Sequence, residues 1–357
     1  MKKFNLKSKI SSAVSKMSGY VPGEQPDSSG WIKLNTNEFP YPPSPKVVEA
    51  IAKEVGADGA KLRLYPSPIS AKLREQVAKY YDLEKEYTFA ANGSDDVLNL
   101  VIRAFADSEK SIATLDPSYS LYPVLAKIQG ANFIQIPFSK NMEIDFEKVA
   151  SCGANVFFFT NPNAPTGFGF PIETVEKIVS EFDGIVLIDE AYGDFSADNC
   201  MDLVKEFDNV IVMRTFSKSC SMAGVRLGYA VSNPVIIEGL MKLKDSYNVD
   251  MLSQIVGKAN YLDKEYRAEC IAAIKRDRND LYAALLKIGF EIPESHANFL
   301  FAAPPDGDGE SCFRYLRENA VLVRYFKGDV TGRYIRITIG TPEENRRVLE
   351  LLTAKYA

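Results

Sequence analysis

The feature that most constrains the fold is a regular alternation of short apolar runs with helical stretches over residues 86–232. Several of the runs are apolar throughout, as is typical of strands that are buried on both faces. Strands that alternate with helices in this way build a mostly parallel, doubly wound α/β sheet. In chain order, the predicted strands are 87–91, 111–115, 132–136, 155–159, 184–188 and 209–213.

The sequence changes character on both sides of this region. Residues 1–35 combine a short helical stretch with a segment that contains Pro and Gly, which predicts an N-terminal arm. We place a large α/β domain at 36–245 and a smaller α+β domain at 246–357, because strand-like runs alternate with helical stretches near the C-terminus. A long helix near 234–262 is predicted to connect them. The length of 357 residues also favours two domains.

Composition narrows the possible partners and chemistry. A net charge of −5 argues against a nucleic-acid surface over the whole chain, and no apolar run approaches the ~20 residues that cross a membrane. Five scattered cysteines without C-x-x-C spacing indicate free thiols, so we expect a cytoplasmic protein without a thiolate metal site. Because His296 is the single histidine, a site of several histidines is impossible, and lysine is the leading candidate for a base.

Polar side chains follow five of the predicted strands. Ligands of open α/β sheets bind just beyond the carboxyl ends of the strands, so these side chains are candidates for one site. They are Ser94, Asp95, Tyr119, Asn163, Asp189, Tyr192, Thr215, Ser217, Lys218 and Arg226. Each has a simpler explanation when it is taken singly, such as a helix cap, a turn, core packing or a solvated surface. The combination favours a ligand.

One ligand suits these residue types together. A lysine amine at a strand end, as in Lys218, can form a Schiff base with a carbonyl group. The Asp189 carboxylate suits a protonated ring nitrogen, and the Tyr119 ring can stack on a flat heterocycle. Hydroxyl and guanidinium groups near Lys218, with the helix start at Ser94, suit a phosphate group. An aldehyde, a pyridine and a phosphate together describe pyridoxal 5′-phosphate.

Several motifs resemble those of the fold type I pyridoxal-phosphate aminotransferases. They are S-K at 217–218 followed by R-x-G at 226–228, D-E-A-Y at 189–192, and an N-P-T-G-like stretch before that. Three further stretches resemble the histidinol-phosphate aminotransferase group, at 20–26, 33–47 and 323–345. The resemblance implies a mostly parallel seven-stranded sheet, a smaller α+β C-terminal domain, and a homodimer with shared active sites.

The resemblance also implies roles in cofactor binding. Lys218 is expected to be the catalytic residue that bonds to the cofactor and transfers the proton, and Asp189 to pair with the ring nitrogen. Tyr192 would reach the ring hydroxyl oxygen, and Tyr119 would stack on the ring. Tyr65 of one protomer would reach the cofactor phosphate of the other. The residues expected to hold the phosphate within one chain are Ser94, Asp95, Thr215, Ser217 and Arg226.

Four residues are expected to bind substrate. Arg336 would bind a carboxylate or its counterpart, and Arg324 with Arg336 suits a phosphate ester. Tyr20 of the arm would close over the phosphate group. Asn37 is the fourth residue that we expect to bind substrate. The simpler explanation for Arg324 is an ion pair with a nearby acidic residue, Glu310 or Glu318.

The expected reaction is transamination of histidinol phosphate with 2-oxoglutarate, which gives imidazole acetol phosphate and glutamate in histidine biosynthesis. The alternatives are an aromatic amino-acid aminotransferase, a lyase or decarboxylase of a phosphorylated amino acid, and a non-catalytic pyridoxal-phosphate sensor. The sequence departs from the family pattern at Ala164, where an asparagine is usual before Pro165. Either Asn163 takes its place or the contact is missing.

Overall fold

A computed structural model of the chain describes residues 4–139 and 142–357. The first three residues of the predicted arm therefore lie outside the described residues. Within the described part, the strands form one sheet of seven strands, one of three and one of two. No helix in that part is long and apolar enough to cross a membrane.

The helices and strands alternate along most of the chain, as the sequence predicts. The strands are β1 (Ile32–Lys33), β2 (Thr88–Ala91), β3 (Ile112–Asp116), β4 (Phe133–Pro137), β5 (Val156–Thr160), β6 (Ile185–Asp189), β7 (Val210–Thr215), β8 (Gly228–Ser232), β9 (Phe299–Ala302), β10 (Val321–Leu322), β11 (Arg324–Tyr325) and β12 (Ile335–Thr338). The helices are α1 (Ser12–Ser15), α2 (Pro45–Val55), α3 (Ala71–Tyr80), α4 (Ser94–Phe105), α5 (Tyr122–Gln129), α6 (Phe146–Ser151), α7 (Ile172–Glu181), α8 (Leu203–Glu206), α9 (Pro234–Leu243), α10 (Met251–Tyr261), α11 (Lys264–Lys287), α12 (Gly309–Glu318) and α13 (Pro342–Tyr356).

The large sheet has the strand order β2-β8-β7-β6-β5-β3-β4 in the described part of the chain, which confirms the predicted seven-stranded, mostly parallel architecture. Strand β8 runs antiparallel to both of its neighbours, β2 and β7. It is absent from the six strands predicted by pattern, because a loop with a short 3-10 helix at Ala223–Val225 joins it to β7 in place of an α-helix.

Hydrophobic clusters cover both faces of this sheet. Along β5, Val156 and Phe158 point into one cluster, and Phe157 and Phe159 point into the other. All four side chains are almost fully buried. Since successive side chains of a strand point to opposite faces, a run without polar residues is what burial on two faces requires.

A third cluster surrounds the three-stranded antiparallel sheet β11-β12-β9 and includes side chains of α11, α12 and α13. The end of the predicted arm joins this part of the molecule, because β1 pairs with β10 in parallel. The main-chain amide of Leu34 also donates to the carbonyl oxygen of Leu322 at 2.8 Å. The domain boundary near residue 245 stays a prediction.

The prediction of one long helix near 234–262 is wrong. Helix α9 ends at Leu243, because the backbone of Lys244 is extended. Helix α10 begins at Met251, where the side chain of Asp250 accepts a hydrogen bond from the amide of Ser253 and so caps the new helix. The long helix of this region is α11, with 24 residues.

Candidate active site

A cavity of about 430 Å³ lies at the carboxyl ends of β3, β5, β6 and β7. The structure brings most of the predicted site residues to its wall, and it leaves two outside. Those at the wall are Tyr20, Asn37, Ser94, Asp95, Tyr119, Asp189, Tyr192, Thr215, Ser217, Lys218, Arg226, Arg324 and Arg336. The described residues contain no group of three or more His, Cys, Asp or Glu side chains that could hold a metal ion.

Lys218 lies in the loop after β7. Its Nζ donates to the carbonyl oxygen of Thr36 at 2.9 Å and lies 5.8 Å from the centre of the Tyr192 ring. Burial, together with the positive charge of Arg336, lowers the pKa of Lys218 to about 8. A lysine of this kind carries an appreciable fraction of free amine near neutral pH, which a nucleophile or a base requires.

Asp189, the last residue of β6, is buried with 3% of its surface exposed. The hydroxyl of Tyr122 donates to its Oδ2 at 2.7 Å, and the amide of Ala191 donates to its Oδ1 at 3.0 Å. Burial raises the pKa of Asp189 to about 6 in spite of these hydrogen bonds. The carboxylate therefore lacks a basic partner within the described residues, and a protonated ring nitrogen would supply one.

Sequence reasoning missed Tyr122 and Thr160, which hold Asp189 in place. The Tyr122 hydroxyl lies 2.8 Å from Oγ1 of Thr160, which is the last residue of β5 and lines the cavity. Only Thr160 had a signal in the sequence, because it directly follows the predicted strand 155–159, where ligands of α/β sheets bind.

Polar groups gather in the corner of the cavity where α4 begins. Gly93 precedes the helix without a side-chain cap, so the first amides of α4 are free to bind an anion. Arg226 Nη1 donates to Ser217 Oγ at 3.3 Å, and its Nη2 lies 3.7 Å from Asp95 Oδ2. The hydroxyl of Thr215 accepts the amide of Ser217 at 3.1 Å. Main-chain amides, hydroxyl groups and one guanidinium group thus face the same corner, which suits an anion.

Gly228 allows this corner to form. A Cβ atom at residue 228 would lie 2.5 Å from the main-chain nitrogen of Ser94 and 2.6 Å from the carbonyl carbon of Gly93. Any larger residue would therefore push β8 away from the start of α4. The glycine of the R-x-G motif is explained by this close approach.

Tyr192 and Asn37 form the wall between the large sheet and the small one. Asn37 Nδ2 donates to the Tyr192 hydroxyl at 2.7 Å, and Asn37 Oδ1 accepts the hydroxyl of Thr338 at 3.0 Å. Asn37 adopts a positive φ of 55°, which asparagine tolerates better than most residues. Because the Tyr192 oxygen accepts from Asn37, its own hydrogen can be donated to a ligand.

Arg324 and Arg336 lie directly opposite each other on the antiparallel strands β11 and β12. Arg324 donates to the carbonyl oxygens of Val21 and Pro22 at 2.9 and 3.2 Å, and Arg336 donates to that of Asn35 at 3.1 Å. Nε of Arg336 is buried without a hydrogen-bond partner among the described residues. Burial and the charge of Arg324 lower the pKa of Arg336.

Arg324 forms no ion pair with Glu310 or Glu318, which was the simpler explanation for it. Glu310 binds Arg314 one helical turn away. The arm of the chain, in contrast, reaches the cavity: the ring of Tyr20 lies edge-on to that of Tyr119, with 6.1 Å between their centres. The arm and the two arginines therefore close the same side of the cavity.

Asn163 is not among the residues that line the cavity, so its predicted contact with the cofactor stays a prediction. Its Nδ2 donates to the carbonyl oxygen of Pro117 at 3.2 Å, and its Oδ1 accepts the hydroxyl of Thr166 at 2.7 Å. Asn163 thus closes its own loop, and Ala164 lines the cavity in its place.

Tyr65 also lies away from the cavity of its own chain. Its side chain is 79% exposed and stacks on the ring of Tyr247, with 4.4 Å between the ring centres. The contact of Tyr65 with a second protomer stays a prediction.

Residues 29–352 match the family model of class I and II aminotransferases. The chain is 44% identical over 342 residues to a histidinol-phosphate aminotransferase of Geobacter sulfurreducens, which covers 96% of this chain and 97% of that protein. It is 39% identical to histidinol-phosphate aminotransferase 1 of Trichormus variabilis, over 96% and 97% of the two chains.

Solved structures share the fold. The histidinol-phosphate aminotransferase of Clostridium acetobutylicum aligns with a TM-score of 0.84 at 22% identity, over 91% of this chain and 99% of that one. The enzyme of Sinorhizobium meliloti, solved in complex with pyridoxal-5′-phosphate, aligns with a TM-score of 0.82 at 22% identity, over 91% of each chain.

Proposed function

Because the chain belongs to the family of class I and II aminotransferases, we propose that it transfers the amino group of histidinol phosphate to 2-oxoglutarate. The cofactor is pyridoxal 5′-phosphate, and the products are imidazole acetol phosphate and glutamate. This reaction belongs to histidine biosynthesis. The observation that carries the choice of substrate is the pair of facing arginines, Arg324 and Arg336, in a cavity that already has a separate anion corner at Arg226.

The cavity has the groups that this cofactor requires. When it is bound, pyridoxal 5′-phosphate supplies an electron sink for the electron pair left on the substrate carbon after a proton is removed. Asp189 would face the ring nitrogen, and Tyr192 would donate to the ring hydroxyl oxygen. The start of α4 with Ser217 and Arg226 would hold the phosphate group, with Asp95 and Thr215 beside them.

Lys218 has two tasks in this proposal. Its amine would hold the cofactor, and after the substrate binds its Nζ would accept the proton from the substrate carbon and return it to the cofactor. A pKa of about 8 suits both directions of transfer near neutral pH. Asp189, with a pKa of about 6, is ionised under the same conditions and can keep the ring nitrogen protonated.

Two facing arginines suit an ester of phosphoric acid. Like charges directly opposite each other on neighbouring strands are destabilising, and an anion between them removes this cost. Each charge-assisted contact is worth about 1.5–3 kcal/mol, so two contacts would favour the phosphorylated substrate by about 10²- to 10⁴-fold. A single arginine would suffice for the carboxylate of an amino acid. Tyr20, at the arm side, would cover the bound phosphate.

A cytoplasmic homodimer is part of the proposal. Exposed apolar side chains gather on segments that contact one another, because the ring of Tyr65 stacks on Tyr247 and Gln254 Nε2 donates to the carbonyl oxygen of Ser67 at 2.9 Å. These side chains are Val48, Leu62, Leu64, Tyr65, Ile69, Tyr247 and Leu252. A surface of this kind is typical of a protein interface. The five cysteines are free, which suits the cytoplasm.

The proposal is tested by half-reactions of the cofactor-loaded protein with histidinol phosphate, histidinol and phenylalanine. We expect kcat/KM to fall by about 10²-fold or more when the phosphate group is missing. Arg324→Ala should raise the KM for histidinol phosphate at least about tenfold and leave phenylalanine almost unchanged. Arg333→Ala is the matched control, because Arg333 pairs with Glu291 outside the cavity. A wild-type preference for phenylalanine would replace the proposal with an aromatic aminotransferase.

A further inference from the structure

Beneath the cavity, Arg214 of β7 lies at the centre of a buried group of charges. Its Nε and Nη2 donate to Glu190 Oε2 at 2.8 and 2.7 Å, and its Nη1 donates to Asp194 Oδ1 at 2.5 Å. Arg214 is 5% exposed and Glu190 is 2% exposed. The hydroxyl of Ser219 donates to the other oxygen of Asp194. We call Arg214, Glu190, Asp194 and Ser219 the ion cluster.

Two members of the ion cluster are direct neighbours of the groups that act in the cavity. Glu190 follows Asp189, and Ser219 follows Lys218. Asp189 and Lys218 line the cavity, whereas Glu190 and Ser219 do not. The ion cluster therefore holds the end of β6 and the loop after β7 from the side that faces away from the ligand.

Each contact of the ion cluster restricts the movement of one segment around the cavity relative to another. The double contact of Arg214 with Glu190 joins the ends of the neighbouring strands β6 and β7. The contact of Ser219 with Asp194 joins the Lys218 loop to the segment that follows β6. Burial acts to raise the pKa of Asp194, but Arg214, Arg267 and Ser219 hold it below its ordinary value, so the link stays charged.

Stability alone is a weak reason for such a cluster. Buried ion pairs are often no more stabilising than apolar residues of the same volume, because the charges lose their hydration. Their best-attested use is to select one arrangement of the chain. In a site where a displacement of 1 Å can cost about 10²-fold in rate, the position of an amine relative to a carboxylate is such an arrangement.

We propose that the ion cluster is a positioning device that sets Lys218 relative to Asp189, with Ser219 and Asp194 as the positioning residues for the lysine. The inference rests on the proposed function, since it concerns the placement of the amine that binds the cofactor. Ser219→Ala is the sharpest perturbation. It breaks the hydrogen bond that joins the Lys218 loop to Asp194 and leaves the contacts of Arg214 with Glu190 and Asp194 in place.

The first measurement is the rate at which the cofactor-free protein combines with added pyridoxal 5′-phosphate, followed by absorbance. We expect Ser219→Ala to slow it at least about tenfold, because the amine is no longer held in position. The affinity for pyridoxamine 5′-phosphate, which has no aldehyde and cannot bond to the lysine, should change by less than about twofold. In the loaded enzyme, kcat should fall with little change in KM.

Two comparisons separate positioning from general stability. Ser232→Ala removes another buried hydroxyl from the β7–β8 pair, where Oγ of Ser232 donates to the carbonyl oxygen of Val210 at 2.6 Å, far along the strands from Lys218. It should lower the melting temperature and leave the rate of cofactor capture unchanged. In an Asp194→Ala background, Ser219→Ala should slow capture no further, since the loss of Asp194 already removes the link that Ser219→Ala breaks.

The outcomes are distinct. Capture at the wild-type rate in a folded Ser219→Ala protein would overturn the inference, and so would an equal loss of affinity for pyridoxamine 5′-phosphate. Should Ser219→Ala fail to fold, Ser219→Cys weakens the link, because a thiol of similar size is a much poorer donor than a hydroxyl. Capture should then be slower than in the wild type, and an equal rate would contradict the proposal. A wild-type protein that fails to capture the cofactor at all would instead contradict the proposed function.

Discussion

Asp189→Asn is expected to stabilise the cofactor-free protein while it removes a charge to which the proposed function assigns a role in the reaction. Burial raises the pKa of Asp189 from 3.8 to about 6. Between these two values the folded protein binds a proton that the unfolded chain has lost. The free energy of unfolding therefore falls as the pH rises from 3.8 to about 6. Above this window the buried carboxylate is ionised and destabilises the fold by its full amount.

The magnitude follows from the two pKa values. Their difference corresponds to about 3 kcal/mol at pH 7.5, since one pKa unit is worth about 1.4 kcal/mol. At about pH 5 the folded carboxyl group is mostly protonated, and about half of the cost is gone. Asparagine has the same shape without the charge, and the Tyr122 hydroxyl can turn to Thr160 Oγ1, 2.8 Å away. We therefore expect Asp189→Asn to be more stable by up to about 3 kcal/mol at pH 7.5 and by about half of that at pH 5.

The assay is unfolding in urea at both pH values, with cofactor-free protein at one concentration, because an oligomer's stability depends on concentration. Asp194→Asn is the contrasting variant. The pKa of Asp194 is lowered, so its charge stabilises the fold and is lost only below pH 3.8. That variant should lose stability equally at pH 7.5 and pH 5. An Asp189→Asn protein less stable than the wild type at pH 7.5, or a gain independent of pH, would refute the reasoning.

Three further changes test other parts of the site. Tyr122→Phe removes a hydrogen bond to the charged carboxylate, so carbon NMR of the cofactor-free protein should show the Asp189 pKa about one to two units higher, and an unchanged value would contradict the contact. Gly228→Ala should cost roughly 1–3 kcal/mol and weaken cofactor binding, because its Cβ would meet the Ser94 nitrogen at 2.5 Å, whereas Gly239→Ala, with open space around it, should cost nothing. Mixing Tyr65→Ala with Lys218→Ala, each inactive alone, should restore part of the activity if the sites are shared, and a fully active monomer would exclude this.

The large sheet was predictable because its buried strands are visible in the sequence as short apolar runs. Every predicted run is a strand, but each strand begins one residue later than its run, and all of them except β2 also end one or two residues later. Asp116, Thr160, Asp189 and Thr215 are thus the last residues of their strands and not the first of the following loops. The main-chain hydrogen bonds between strands do not depend on side-chain polarity, so a strand can continue through a polar residue. A prediction from hydropathy therefore ends such a strand too early.

A residue could be assigned to the cavity from the sequence where its side chain suits one kind of chemistry. It could not be assigned where its position depends on contacts that form only in the folded chain. Lys218 and Asp189 were predicted from the chemistry of an amine and a carboxylate at strand ends, and both line the cavity. Tyr122 was missed, because a tyrosine in the first turn of a helix is ordinary, and only the fold brings its hydroxyl to Asp189. Asn163 was assigned by position, but the direction of its amide depends on Pro117 and Thr166, whose contacts with it arise only when the loop closes.

Burial has opposite consequences in the cavity and in the ion cluster beneath it. Burial shifts Asp189, Lys218 and Arg336 toward their neutral forms, and none of them is in an ion pair within the described residues. Arg214, equally buried, is fully paired with two carboxylates. Unpaired buried charge costs stability, so we expect it where a ligand is to bind. In the proposed function a ring nitrogen would pair with Asp189 and an anion with Arg336, and an aldehyde would react with the neutral amine of Lys218. In this proposal the paired charges below would keep these groups in place while ligands bind and leave, so unpaired and paired buried groups stand one residue apart at Asp189 and Glu190.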